Sequence, residues 1–521
     1  MRQRAVRAIG IALLLLDLQP ARAQPRPPVP PDLDAYVGRV LETFNVPGLS
    51  LAIVRNGETV LARGYGVRRL GEPARVDEHT LFGIGSNTKL FTALALGLLV
   101  EDGKVAWNTP VITYLPWFRL SNAYVTQEIT VRDLLVHRSG LGLGAGDLLI
   151  FPETTYTRNE VVRRLRNVPL ATSFRSSYAY DNVLYLVAAE IIEAVSGQSW
   201  EEFVRSRILR RVGMEDTTVR HGDALTRDNV AATHAEVDGK LRLVRRFNDD
   251  KVNAAGGINS SAQDMAKWLN VIASGGKLPD GSRLISERTF RDLTTPVTIM
   301  PIGGGRPPEV AALTPQFRAY ALGLVVEEYR GHKVFLHSGG LPGYLSKVFW
   351  MPDVGLGVTV LTNQESGAAF DALVYQVVDH VLGVQSDWSD AFRRARARTR
   401  AENTGVVAKA AAARAGTKPS LDLKGYAGTY TDAWYGDITI EEAGSSLVMR
   451  FSKTPSLVGD LEHWQHDTFI VRWRDRELRA DAYVTFALNP DSSIAQAKMR
   501  AVSPDTDFSF DFQDLMLKRA R

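Results

Sequence analysis

The sequence predicts a mixed α/β (α+β) domain, an antiparallel sheet flanked by helices plus an all-α region, followed by a small all-β barrel-like domain. Three observations carry this. A helix-patterned stretch and a hairpin precede an almost wholly apolar helix at 88–100. Four strand-like runs between Tyr320 and Thr362 lead into a closing helix at 369–382. From Leu421 onward the chain reads as short strands with period-two alternation and short turns.

A chain of 521 residues holds two or so domains, and 45% hydrophobic residues can bury a large core. The net charge is only +4, part of it in the leader and in a basic linker. No basic patch carries interleaved aromatics, so no nucleic-acid partner is expected. There is no cysteine, which excludes disulfides, cysteine nucleophiles and thiolate metal sites. No cofactor is expected.

Arg2, Arg4 and Arg7 precede the apolar run 8–16, and Ala21-Arg22-Ala23 fits a cleavage site. Residues 1–23 therefore read as a signal peptide, with an uncleaved anchor as the alternative. The run is too short to span a bilayer, and lipidation would need a cysteine. Residues 24–31 form a Pro-rich linker. No later stretch is apolar and long enough for a membrane helix. The expected location is periplasmic or secreted. Oligomeric state is not legible.

Apolar residues at Leu33, Tyr36, Val37, Val40, Leu41 and Phe44 predict a helix over 33–44. Strands at 48–54 and 59–67 flank Asn56-Gly57, a hairpin signal. Gly83 and Gly85 then allow a tight turn before Ser86. The helix at 88–100, stopped by Glu101-Asp102-Gly103, is apolar nearly all round and so predicted to be buried. Ser86 and Lys89 share one face, roughly 5–6 Å apart at Cβ. Burial favours a neutral Lys89 amine able to take the Ser86 proton. The spacing alone is common. Ser274 and Lys277 repeat it in a Gly-rich loop that holds nothing together.

A short helix is expected at 129–137, with Thr130 and Asp133 as a capping box and His137 as a structural residue at its end. Tyr180 and Asn182 stand just before a second buried helix at 183–195. A tyrosine there can relay protons if a nearby cation lowers its pKa, and an asparagine suits gripping an amide. A packed tyrosine and a turn asparagine are the plainer alternatives. The Gly-rich turn at 254–261, before a helix at 262–272, lacks the lysine and spacing of a phosphate loop.

Strands are expected at 320–326, 333–340, 345–351 and 356–362. The second ends in His337-Ser338-Gly339-Gly340, where a ligand can approach the backbone and an amide can donate to an oxyanion. Alternatively His337 caps a strand end. Residues 385–420 are rich in Ala and Arg without apolar periodicity, and read as a solvated, partly helical linker. Later strands include 437–440, 447–451, 483–488 and 508–512. His463 and His466 lack a clear third ligand, so no metal is expected.

Ser86-Asn87-Thr88-Lys89, Tyr180-Asp181-Asn182 and His337-Ser338-Gly339, in that order, resemble the serine β-lactamase and penicillin-binding-protein superfamily. The likeness is closer to its class C β-lactamase-like branch of peptidases and esterases. Leu134-Leu135-Val136-His137-Arg138-Ser139-Gly140-Leu141 and Pro352-Asp353-Val354-Gly355 support it. It covers residues 32–383 and implies a β-lactamase/transpeptidase-like fold. A linker at 384–420 would join this to residues 421–521, which resemble a lipocalin-like domain opened by Gly425-Tyr426-Ala427-Gly428-Thr429-Tyr430.

The resemblance implies Ser86 as nucleophile, Lys89 as its base and Tyr180 as the second acid/base. Asn182 would bind the substrate amide. His337, with Ser338 and Gly339, would take the third-motif lysine's position near Tyr180 and a substrate carboxylate. The N–H groups of Ser86 and Gly340 would form the oxyanion hole. Histidine at 337 departs from class C β-lactamases, which carry lysine, and is only partly charged near neutral pH. The pattern looks more like the peptidase members. The expected function is an exported serine hydrolase, peptidase-like, with D-residue specificity as one option, acting on a small molecule or short peptide. A β-lactamase, a carboxylesterase and a non-catalytic cell-wall peptide binder are the alternatives.

Overall fold

The computed structural model describes residues 27–303, 305–412 and 416–520. The expected signal peptide and the first residues of the Pro-rich linker lie outside them. Helix α1 (Leu33–Phe44) leads into the hairpin β1 (Gly48–Arg55) and β2 (Glu58–Gly66). Later come β3 (Thr298–Ile299), β4 (Arg318–Tyr320), β5 (Val325–Tyr329), β6 (His332–Leu341), β7 (Tyr344–Met351) and β8 (Leu356–Thr362). They form one antiparallel sheet in the order β2-β1-β8-β7-β6-β5-β4-β3.

Both faces of this sheet are covered, which is why β1 and β8 read as continuous apolar runs. Leu49, Leu51 and Ile53 join the core formed with α1 and α5 (Gly367–Leu382). Ala52 and Val54 face the larger core, which contains α2 (Thr88–Glu101), α3 (Val183–Ser196) and α4 (Ala262–Ala273). Thr88 to Leu99 of α2 are all buried, as its missing polar face requires.

The second domain is an eight-stranded antiparallel sheet. Its strands are β9 (Gly428–Asp432), β10 (Gly436–Ala443), β11 (Ser446–Phe451), β12 (Val458–Gln465), β13 (Thr468–Trp473), β14 (Ala482–Leu488), β15 (Ile494–Ala501) and β16 (Lys518–Arg519). The order is β15-β14-β13-β12-β11-β10-β9-β16. Ala497 N–H donates to Leu517 O at 2.8 Å and Leu517 N–H donates back at 3.1 Å, which nearly closes the sheet into a barrel. This is consistent with a lipocalin-like domain.

Three local expectations are corrected. Residues 320–326 are not one strand. A turn with Gly323 at φ +81° separates β4 from β5 and lies against the backbone of Lys89 and Leu90. The helix at 129–137 shrinks to a 3₁₀ turn, Asp133–Leu135, because buried Asp133 is drawn to Arg138 and Arg175 as well as to Thr130. Residues 508–512 are no strand. They form a loop and the start of a 3₁₀ turn, Phe512–Asp514, held by contacts to the first domain.

The Ala/Arg-rich stretch contains α6 (Trp388–Ala412). Its first two turns bury Trp388, Ala391, Phe392 and Ala395, an i, i+3, i+4, i+7 stripe too short to stand out among arginines. Trp388 Nε1 donates to Asp379 Oδ2 at 2.9 Å. Trp388→Ala is expected to lower stability by about 3–5 kcal/mol, the usual cost of emptying such a site. Urea unfolding followed by circular dichroism measures it, and a change below ~1 kcal/mol would show that α6 does not anchor there.

Candidate active site

Ser86 lies in the 3₁₀ turn Gly85–Asn87, which runs directly into α2. The turn is clamped to the sheet. Asn87 Nδ2 donates to Ser346 Oγ at 2.7 Å, and Ser346 Oγ donates to Ile84 O at 2.6 Å. The approach needs glycine on both sides. Gly85 has φ +51°, and a Cβ there would meet Gly340 N at 2.7 Å. A Cβ on Gly339 would lie 1.9 Å from Ile84 O and 2.8 Å from Ser86 N. The backbones carrying the Ser86 and Gly340 amides are thus side by side, the arrangement an oxyanion hole needs.

Lys89 is wholly buried on the first turn of α2. Its Nζ lies 3.1 Å from Ser86 Oγ, 2.7 Å from Asn182 Oδ1 and 3.1 Å from Ala255 O. Burial pulls its pKa down to about 7, against a smaller upward pull from Asp147. A neutral amine has two N–H donors and one lone pair. Donating to Asn182 and Ala255 leaves the lone pair for the Ser86 proton. Ala255 was legible only as part of a Gly-rich turn. It belongs to a one-turn helix, Asn253–Gly256, fixed by Asn253 Nδ2 donating to Glu201 Oε1 at 2.8 Å.

Asn182 is less free than an amide grip requires. Its Oδ1 accepts from Lys89 and its Nδ2 donates to Asp147 Oδ2 at 2.8 Å. One lone pair and one N–H remain for a ligand. Tyr180 stands over Lys89, with Nζ 4.8 Å from the ring centroid, and its hydroxyl faces Ser86. Burial pushes the phenol well above its ordinary pKa, so no cation lowers it. Tyr180 is a proton donor here, not a phenolate base. Its ring lies against His137, 4.3 Å between centroids. His137 Nδ1 accepts from Asp181 N–H at 3.0 Å, so this buried histidine fixes the turn that carries Tyr180 and Asn182.

His337 sits beside Tyr180 as expected, with ring centroids 6.2 Å apart, but both its nitrogens are occupied. Nδ1 donates to Ser338 O at 2.6 Å, and Nε2 accepts from Tyr320 Oη at 2.8 Å. Burial first, and then Lys89, lower its pKa to about 3. The expected charge opposite a substrate carboxylate is therefore absent from His337. Tyr320, its partner, read in the sequence only as a strand residue.

These groups open into a cleft of about 950 Å³. Leu143, Phe151, Phe247 and Leu341 line it from the first domain, and Leu478 and Phe508 from the second. Phe508 stands edge-on to Tyr180, 5.9 Å between centroids. The cleft cations are paired: Arg318 with Glu327, Arg479 with Glu365 and Arg245 with Asp475. The second domain thus forms one wall of the active-site cleft.

A family model described as Beta-lactamase matches residues 33–382. The chain belongs to the beta-lactamase family. It is a serine hydrolase of that family, and a second model, Domain of unknown function (DUF3471), matches residues 412–519. This beta-lactamase-family hydrolase is similar to the Unguisins hydrolase ungD of Aspergillus violaceofuscus, 29% identical over 81% of this chain and 78% of the other. Its fold is similar to an octameric penicillin-binding protein homologue from Pyrococcus abyssi, with TM-score 0.59 and 21% identity over 93% of this chain and 99% of that one. It is also similar to the D-amino acid amidase from Ochrobactrum anthropi SV3, with TM-score 0.54 and 25% identity over 70% of this chain and 99% of that one.

The neutral amine of Lys89 is the form able to take the Ser86 proton, so kcat/KM should rise with pH through about 7 and level above it. Burial also pushes Asp147 up to about 7, so this limb belongs to the pair. His337, held near 3, adds no limb between pH 5 and 9. Initial rates across that range check this. An acid limb near 10, or a flat profile, would contradict a buried neutral lysine.

Proposed function

We propose that this chain is an exported amidohydrolase that cleaves a short peptide or amino-acid amide through an acyl–Ser86 intermediate. The observation that carries the reading is Lys89 Nζ, dry and 3.1 Å from Ser86 Oγ, with its other contacts taken by Asn182 and Ala255. A binding module has no use for a lysine stripped of water beside a serine. The leader-like residues 1–23 support export.

In the reaction, Ser86 Oγ attacks the carbonyl carbon as its proton passes to Lys89 Nζ. The oxyanion lies between the Ser86 and Gly340 amides. Tyr180 O–H protonates the leaving nitrogen, the C–N bond breaks, and Tyr180 regains a proton from the Lys89 ammonium. Lys89 is neutral again when water enters. It takes the water proton as hydroxide attacks the acyl carbon, and returns it to Ser86 Oγ as the ester bond breaks.

The third motif favours substrates without a free carboxylate next to the scissile bond. His337 is neutral with both nitrogens engaged, and Arg318 on the same wall is paired with Glu327. A carboxylate seated there would be desolvated without a counter-charge. This weighs against β-lactams and carboxypeptidase substrates and for amides. The neighbour described as a D-amino acid amidase supports the same class and a D-residue at the acyl position.

Intact mass after incubation with an activated ester and, separately, a penicillin is the first test. A stable adduct or turnover is expected with the ester, and Ser86→Ala should abolish both while folding normally. A matched pair of dipeptides, one C-terminally amidated and one with a free carboxylate, should differ about ten-fold or more in kcat/KM in favour of the amidated form. Absent turnover of every substrate would leave a non-catalytic binder, and turnover that survives Ser86→Ala would remove Ser86 as the nucleophile. Preference for the free carboxylate, or for penicillin, would overturn the substrate class.

A further inference from the structure

Asp147 is buried in a turn of the first domain and, beyond sharing a pH limb with Lys89, has no part in the chemistry above. Its Oδ2 accepts from Asn182 Nδ2 at 2.8 Å and from Ser509 Oγ at 2.9 Å. Its Oδ1 is buried and meets no donor among the described residues. Ser509 comes from the loop of the second domain that reaches into the cleft. Two residues on, Asp511 accepts from Gly146 N–H at 2.6 Å and from Leu148 N–H at 2.9 Å, gripping the backbone on either side of Asp147. The path is continuous: Ser509, Asp147, Asn182, Lys89, Ser86.

Asn182 is the hinge of that path. An amide can flip, exchanging oxygen for nitrogen. Only with Nδ2 toward Asp147 does Oδ1 face Lys89 as an acceptor. The ionised carboxylate, an acceptor in both its oxygens, enforces this orientation above the pH near 7 at which Asp147 gives up its proton. Ser509 Oγ, donating to the same oxygen, holds the carboxylate in place.

We propose that Asp147 and Ser509 are positioning residues for Asn182 and Lys89, so that the second domain completes the acylation site of the first. The proposal rests on the reading of Ser86 as nucleophile. Other charged or titratable groups also face this pair. Tyr180, Tyr185, His137 and His337 surround Lys89. Asp181, Asp507 and Asp511 act on or with Asp147. Asp147 is the carboxylate whose charge favours the Lys89 ammonium.

The test uses the full-length protein with Ser509→Ala, Ser509→Thr and Asp147→Asn, and reads pre-steady-state acylation by an activated ester. Ser509→Ala should slow acylation about ten-fold, the worth of one lost hydrogen bond in the path that orients Asn182, with ester affinity within about two-fold. Ser509→Thr, which keeps the hydroxyl, should recover most of the loss. Asp147→Asn removes the charge and not the volume, so the acid limb should move to lower pH by about half a unit or more. Lysine ¹³Cε NMR should report the same downward move of the Lys89 midpoint, and it needs no turnover. Wild type that forms no Ser86 adduct would defeat the functional reading while the NMR shift still tested this one. Unchanged acylation in Ser509→Ala, or an unmoved Lys89 midpoint in Asp147→Asn, would overturn the proposal.

Discussion

The structure turns on a lysine deprived of water. Lys89 ordinarily titrates near 10.5, and burial brings it to about 7. In water, roughly one in three thousand such side chains would be neutral at pH 7; burial makes the neutral amine a major form here. The cost is on the order of 5 kcal/mol of differential solvation, borne by the fold. What surrounds Lys89 keeps it dry. Helix α2 is buried on every side, Tyr180 and Tyr185 cover Nζ with ring faces, and the Gly323 turn lies against its backbone.

Several features otherwise unrelated follow from that constraint. The turn that carries Ser86 must meet the sheet closely enough to exclude a side chain, so Gly85 lies against Gly340, and Gly339 against Ile84 and Ser86, without room for a Cβ. The acceptors around Nζ must be fixed in advance, so Ala255 is held through Asn253 and Glu201 and Asn182 through Asp147. A second cation beside Lys89 would compete with it electrostatically. His337, neutral and hydrogen-bonded at both nitrogens, fills the third-motif position without adding one.

Much of this was legible in the chain. The three polar elements lie where strong periodic signals end: Ser86 before α2, Asn182 before α3 and His337 inside a strand followed by glycines. Those boundaries come from local patterning and survive folding. What was illegible depends on contacts distant in sequence. Asp147 sits 35 residues from Asn182 and 362 from Ser509, with no spacing to join them. Phe508 to Phe512 alternates like a strand, yet Ser509 and Asp511 find partners in the first domain, and tertiary hydrogen bonds override the pattern. Tyr320 and His337 are on β4 and β6, separated by β5, and only the finished sheet shows that the Tyr320 hydroxyl occupies His337 Nε2.

The most direct measurement is the titration of Lys89 itself, by ¹³Cε-lysine NMR on the purified protein, with the resonance assigned by its loss in a Lys89→Met variant. The account requires a midpoint near 7. A Lys89 that stays an ammonium to pH 10 would contradict it, and Ser86 would then lack its base.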